Sequence, residues 1–225
     1  VGEPPPVKCN HVAARSMEIF RRLGVSEAVR AAGLPDDYPN DVVFLTTATG
    51  QEIGRIPIPS RAERALPPSD RFPDSGWPTA EPPHRINQIY LEPILVDAAR
   101  SRPEITLLYD TRITSFEQTA DGVAAEGVTR GGRAVAFGSR FLVGADGGSS
   151  AVRKAIGARL HGDAVIQRVQ STYVRAPGLI EAMSVAPCWC MFSLNPRRSG
   201  NIYSIDGKER WLIHNYLRDS EADFE

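Results

Sequence analysis

The chain has 225 residues, with 26 Lys+Arg against 27 Asp+Glu and a net charge of −1. At ~150 residues per domain, that length holds one large domain or one and a half smaller ones. Its 42% hydrophobic and 24% charged fractions exclude wholesale disorder. The balanced charge gives no electrostatic reason to expect nucleic acid or an anionic membrane as partner. No apolar run approaches the ~18 residues of a membrane-spanning helix, and no basic-then-apolar leader is present. The chain starts at Val1, runs into Pro4-Pro5-Pro6 and stops at Glu225 after a strand-like stretch, so it reads as a piece of a larger protein. Cys9, Cys188 and Cys190 are an odd number, which suits a reducing cytoplasm better than a disulfide framework. Cys188-Trp189-Cys190 has neither a second cysteine pair nor a nearby His pair, so no metal site is expected.

In chain order, His11 to Gly24 reads as a helix. Ala13, Met17 and Phe20 recur at i, i+4 and i+7, and Gly24 is a natural stop. A second helix is expected from Ser26 to Ala32, closed by Gly33. Strands follow at Val42–Thr47 and Glu52–Pro57, around Thr49-Gly50. Residues 57–83 hold Pro57, Pro59, Pro67, Pro68, Pro73, Pro78, Pro82 and Pro83 and read as a long loop, either a cover over a pocket or a surface excursion. Regular structure resumes at Arg85 with a helix carrying Leu91, Ile94, Leu95, Ala98 and Ala99, and Pro93 is expected in its first turn.

Strands are then expected at Thr106–Tyr109, Arg112–Gln118, Val123–Thr129 and Ala134–Phe137. Asp121-Gly122 and Gly131-Gly132 are their hairpin turns. An apolar strand, Phe141–Ala145, leads into a glycine turn and a helix from Ser149 to Ile156. Val165–Arg175, Met191–Leu194, Asn201–Ile205 and Arg210–His214 read as antiparallel strands. Helices and strands mix without strict βαβ alternation, which points to an α/β (α+β) chain: a nucleotide-binding core interleaved with a mostly antiparallel sheet.

The strongest chemical signal is Gly144-Ala145-Asp146-Gly147-Gly148-Ser149-Ser150-Ala151-Val152-Arg153. A buried strand ending in a carboxylate and a flexible turn lets the backbone approach a ligand. The helix that follows can turn its N-terminus to a phosphate, and Asp146 can accept from a sugar hydroxyl. Taken alone, strand-Asp-Gly-turn is also an ordinary hairpin.

The stretch resembles the DG fingerprint, G-A-D-G-x-x-S-x-V-R, of the flavin-dependent aromatic hydroxylases, the para-hydroxybenzoate hydroxylase and phenol hydroxylase group. Gly144, Ala145, Asp146, Gly147, Ser150, Val152 and Arg153 stand in register with it, and Gly157 closes the helix. Asn10-His11-Val12-Ala13-Ala14-Arg15 through Gly24 is similar to the segment after the family's first βαβ unit, whose arginine lies near the FAD pyrophosphate. Asn87-Gln88-Ile89-Tyr90-Leu91-Glu92 is similar to its Q-x-x-L-E segment, whose glutamine meets the ribityl-phosphate region. The resemblance implies cofactor contacts from Arg15, Gln88, Asp146, Gly147, Ser150 and Arg153. Its G-x-G-x-x-G is missing, and His161-Gly162-Asp163-Ala164 only imitates its second flavin motif. About thirty residues of βαβ are therefore expected before Val1, and the rest of a substrate domain after Glu225.

By this resemblance, residues 1–40 and 85–160 belong to an FAD-binding Rossmann-like domain lacking its first βαβ unit. Residues 41–84 supply substrate-side strands and the proline-rich loop, and 161–225 begin a substrate-binding domain. The implied enzyme is an FAD-dependent monooxygenase. NADH or NADPH reduces FAD, O2 forms a C4a-hydroperoxyflavin, and oxygen passes to a small aromatic substrate. No side-chain nucleophile and no metal are required. Asn10 and His11, close before Arg15, and Trp189, Met191, Phe192 and Tyr203 on the later strands are candidate substrate contacts, or else loop and core residues. An epoxidase, halogenase or reductase on the same fold, a non-enzymatic binding module, and a homodimer of the whole protein all stay open.

Overall fold

The computed structural model describes residues 10–67, 70, 72, 78–163, 165–183 and 185–221. Pro4–Pro6, Cys9, Pro68, Pro73 and Ala164 lie outside the described residues. The chain forms two compact units, 104–166 and, in two stretches, 2–103 with 167–225.

The larger unit opens with α1 (Ala14–Arg22) and α2 (Ser26–Ala31). Met17 on α1 and Val29 on α2 are fully buried with Val12 and Ile86, and Phe20 packs against them, but Ala13 and Leu23 of the stripe expected of the first helix stay exposed. Gly24, with φ +78°, stops α1 as foreseen: its N–H reaches Arg21 O while Val25 N–H reaches Phe20 O. Strands β1 (Val42–Leu45) and β2 (Glu52–Ile56) form a hairpin. The proline-rich stretch is not wholly irregular, because α3 (Arg61–Arg64) forms within it. Ser60 Oγ accepts from Glu63 N, and Glu63 Oε2 accepts from Ser60 N, a reciprocal cap that lets one turn form between prolines.

Helix α4 (Gln88–Arg100) starts at the Asn87 cap. Pro93 lies in its second turn rather than its first, so Ile89 O loses its usual helical donor there.

The smaller unit is built on the antiparallel sheet β3 (Thr111–Thr119), β4 (Gly122–Thr129) and β5 (Ala134–Ser139), with both predicted hairpins in place. A short helix, α5 (Ala151–Ala155), follows. Thr106–Tyr109 and Phe141–Ala145 are not strands. Among the described residues neither pairs into a ladder, and apolar character alone does not make one.

The larger unit resumes with β6 (Val169–Arg175), α6 (Leu179–Ala182), β7 (Cys190–Ser193), β8 (Gly200–Ser204) and β9 (Arg210–Tyr216). Six strands pair in the order β2-β1-β7-β8-β9-β6. Every pair is antiparallel except β1 with β7, which is parallel. Strand alternation gives the sheet two faces. Val43, Leu45, Met191, Ile202 and Trp211 bury one of them with Leu179, Ile180, Met183 and Val185. The other carries Phe44, Cys190, Phe192, Asn201, Tyr203 and His214. No helix among the described residues is long and apolar enough to cross a membrane.

Candidate functional site

In the smaller unit the DG stretch closes into a knot. Asp146 Oδ2 accepts the backbone N–H of Ala151 at 2.7 Å and of Val152 at 3.3 Å, while Oδ1 takes the Ser150 hydroxyl. Ser150 Oγ in turn accepts from Arg153 N at 2.9 Å, and Arg153 Nη1 donates to Gly148 O at 2.8 Å. Gly147 bridges the turn at φ +75°, a conformation that favours glycine. Asp146, Gly147, Ser150 and Arg153 are thus brought together.

The Ser150 hydroxyl, then the backbone N–H groups, hold the Asp146 carboxyl below the usual carboxylate range. This corrects one expectation. The first N–H groups of α5 do not face a free anion site, because Asp146 and Ser150 already occupy them. At the other end of α5, Gly157 N–H reaches Lys154 O and Ala158 N–H reaches Arg153 O, the glycine stop foreseen for this helix. A cavity of about 570 Å³ is lined by Ile113, Phe116, Val143, Asp146, Val152 and Ala155, among others. At Gly144 a Cβ would sit 2.6 Å from Val152 Cβ, so only glycine lets this segment pass so close to α5.

In the larger unit Arg15 lies in the first turn of α1. Its side chain is 79% exposed and pairs with Glu18 at 3.0 Å. It lines a cleft of about 510 Å³ with Glu18, Arg64, Pro78, Thr79 and Pro83. Gln88 is the first residue of α4 and donates through Nε2 to Glu92 one turn on.

Asn10 accepts from Asn87 Nδ2, and a backbone bridge between Val12 and His84 fixes the 10–12 segment beside 84–88. That places His11 6.3 Å from Trp189, ring to ring. Trp189 packs 5.3 Å from Tyr203, and the Arg85 guanidinium lies 3.6 Å above the indole. Tyr203 meets the His214 ring edge-on at 5.6 Å, and Asn201 Nδ2 donates to Tyr203 Oη at 2.6 Å.

Burial first, then the Arg85 and His84 charges, pushes His11 down to about 4, so its imidazole is neutral near pH 7. Burial pushes the Tyr203 phenol up to about 12. The Cys188 and Cys190 thiols rise to about 12 and about 11, again first through burial. Trp189 Nε1 is buried and has no hydrogen-bond partner among the described residues.

Asn10, His11, Trp189 and Tyr203 therefore come together. Phe192 shares their face of the sheet but stacks on Phe44 at 5.5 Å. Met191 does not join them. It is one residue out of phase on β7, points to the opposite face and is 2% exposed in the core. Sequence reasoning did not single out Arg85 and Asn201, which lie against Trp189 and Tyr203. Asn201 carries no motif signal, whereas Arg85 stands three residues before Gln88.

A family model described as FAD binding domain matches residues 3–223. The FAD-dependent monooxygenase apdD of Emericella nidulans is 24% identical over 219 residues, 91% of this chain and 34% of that protein. Phenol 2-monooxygenase of Pseudomonas sp. is 31% identical over 148 residues, 65% of this chain and 23% of that protein. The crystal structure of the flavin-dependent monooxygenase PieE in complex with FAD and substrate superposes with a TM-score of 0.86 at 26% identity, covering 100% of this chain and 38% of that one. The chain thus spans between about a quarter and two fifths of the length of these relatives.

Proposed function

The chain belongs to the FAD-binding domain family, and on that premise we propose that it acts in a flavin-dependent monooxygenase that uses NADH or NADPH and O2 to hydroxylate a phenolic or other aromatic compound. The observation that carries this reading is the aromatic face of the larger unit, where Trp189, Tyr203 and His11 gather under the Arg85 guanidinium. Flat rings suit a flat aromatic ligand through offset and edge contacts, and they exclude water from its surroundings. The relatives named as monooxygenases, one of them a phenol monooxygenase, support the same substrate class.

The residues present fit the cofactor. Arg15 offers an exposed guanidinium suited to a diphosphate, and a Cβ built at Gly147 would meet open space, so the backbone there is approachable. In this reading Arg15 and Gln88 hold the phosphate and ribityl portion, and Asp146 accepts from a ribose hydroxyl. Ser150 and Arg153 keep the Asp146–Gly148 turn in shape for that contact. When bound, FAD supplies the redox and oxygen chemistry. The chain's own residues then orient and shield the substrate. Neutral His11 can accept a phenolic proton in a hydrogen bond, and the nearby Arg85 charge favours the phenolate, the more electron-rich ring.

The test is consumption of NADH or NADPH by the whole enzyme across a panel of phenols under isotope-labelled O2. Product carrying one labelled oxygen is expected. Reduced-cofactor consumption without label in any product overturns the reading.

A further inference from the structure

We infer that Asn201 and Trp189 form a substrate-recognition pair: Asn201 Oδ1 accepts a hydrogen bond from a ring hydroxyl of the substrate and Trp189 Nε1 donates one to its carbonyl oxygen, so the aromatic taken is a fused-ring hydroxy-carbonyl compound rather than a plain phenol. The inference rests on the flavoenzyme reading above and names its substrate class.

Among the described residues, four buried side-chain nitrogen or oxygen atoms have no hydrogen-bond partner: Arg30 Nη1, Trp189 Nε1, Asn201 Oδ1 and Trp211 Nε1. Each such atom costs stability, and a folded protein keeps few of them. Arg30 belongs to a guanidinium that already donates to Glu81 Oε2 at 2.6 Å and Pro82 O at 2.8 Å, and Trp211 is packed in the main core. The other two flank one ring. Trp189 lies 5.3 Å from Tyr203, ring to ring, and Asn201 Nδ2 donates to Tyr203 Oη at 2.6 Å. Asn201 is only 4% exposed, and its amide nitrogen is engaged inside the protein while its oxygen is not. An amide oxygen only accepts and an indole N–H only donates, so one ligand satisfies both by bringing a donor and an acceptor.

The sheet around them supplies a flat surface. Asn201 stands in register with Phe192 on one side and His214 on the other, and Phe192 stacks on Phe44 of β1 at 5.5 Å. His214 Nδ1 lies 2.8 Å from Ser171 Oγ, so this polar neighbour is already engaged elsewhere. From β1 to β8 is two strand spacings, roughly 10 Å, and from the Tyr203 row to the Asn201 row is two residues, roughly 7 Å. Aromatic side chains spread over that area suit fused rings better than a single ring. Hydrogen bonding to a neutral hydroxyl keeps it protonated, so Asn201 anchors the substrate and does not ionise it.

The experiment measures, by equilibrium dialysis on the FAD-loaded whole enzyme, the dissociation constants of three matched probes: hydroxyfluorenone, methoxyfluorenone, which lacks the donor, and hydroxyfluorene, which lacks the carbonyl. Wild type is expected to bind hydroxyfluorenone about tenfold or more tighter than either of the others. Asn201→Leu should bring the hydroxy-over-methoxy preference to within about twofold and leave the carbonyl preference standing, and Trp189→Phe should do the reverse. Asn201→Asp, which keeps an acceptor, should retain the hydroxy preference. A wild-type enzyme with neither preference overturns the inference, and so do preferences that persist in both variants. Equal loss of both preferences in Asn201→Leu, with a lower melting temperature, assigns Asn201 a structural role and also overturns it. If Asn201→Leu does not load FAD, Trp189→Phe decides: a lost carbonyl preference supports the pair and an unchanged one overturns it. The crossed pattern in an enzyme whose products carry no labelled oxygen supports the pair and overturns the flavoenzyme reading alone.

Discussion

The two units hold their shape by different means. The larger one is organised by long-range packing: Trp211, Leu45, Met191 and Val43 are almost wholly buried, and each lies far along the chain from some of its neighbours. The smaller one is organised by local hydrogen bonds, in two hairpins and the Asp146–Ser150 knot. Phe141, Val143 and Ile166 within it are 77%, 85% and 92% exposed. The lesson concerns where recognition motifs can be read. A motif such as the DG stretch is contiguous because its geometry is local. The aromatic face, assembled from residues 11, 85, 189 and 203, leaves only scattered letters in the sequence.

Four measurements break or sharpen this contrast. Trp211→Ala removes the largest side chain of the main core and is expected to cost about 3–5 kcal/mol in denaturant unfolding. A loss under about 1 kcal/mol would mean that the larger unit is not held by that core.

Next is His84, whose Nε2 lies 2.7 Å from Ala32 O and which burial pushes down from 6.5 to about 4. Its unfolded form binds a proton more readily than its folded form. Stability from this group is therefore complete above about pH 6.5 and is lost as pH falls toward about 4. His84→Gln should flatten the pH–stability curve in that window, and an unchanged slope would remove His84 as its source.

Asp146 gives a smaller and differently placed effect. Its folded carboxyl titrates below its unfolded one, so its contribution is present above the ordinary carboxylate range and disappears as pH falls through the folded value. Asp146→Asn, which keeps acceptor oxygen but not charge, should converge with wild type in acid. It should also bind flavin more weakly or slow its reduction. Normal flavin affinity together with normal reduction would detach the DG knot from the cofactor.

Smallest is Val143→Thr, which should move unfolding by no more than about 0.5 kcal/mol because the side chain is exposed. A larger loss would show that Val143 is covered in solution.

How much was legible follows the same division. Asp121-Gly122 and Gly131-Gly132 announced their hairpins because turn chemistry is local, and the three smaller-unit strands stood within a residue or two of their expected places. Thr106–Tyr109 and Phe141–Ala145 had strand composition, but a strand is defined by its partner, which composition does not name. The parallel pairing of β1 with β7 was invisible for the same reason. Among the expected site residues, Arg15, Gln88 and Asp146 were picked out by their place in motifs. Phe192 and Met191 were taken together as apolar neighbours, and only the period of two along β7 separates them. The helical turn Arg61–Arg64 was hidden in a proline-rich stretch because it depends on a four-residue cap, Ser60 to Glu63.

The parallel β1–β7 ladder also has a kinetic consequence. Beyond its end, Asn195 reaches back to Thr46 across 149 residues of chain. Neither β1 with β2 nor β7 with β8 needs that distance, so both hairpins can form early, whereas joining them must close a far longer loop. The 104–166 unit lies wholly inside that loop. Once its hairpins have formed, the span to be closed is effectively shorter and less entropy is lost in closing it. The segment that carries the DG motif thus also serves as a folding spacer, and refolding of the six-stranded sheet should slow when the β3–β5 hairpins are weakened, even though none of their residues belongs to that sheet.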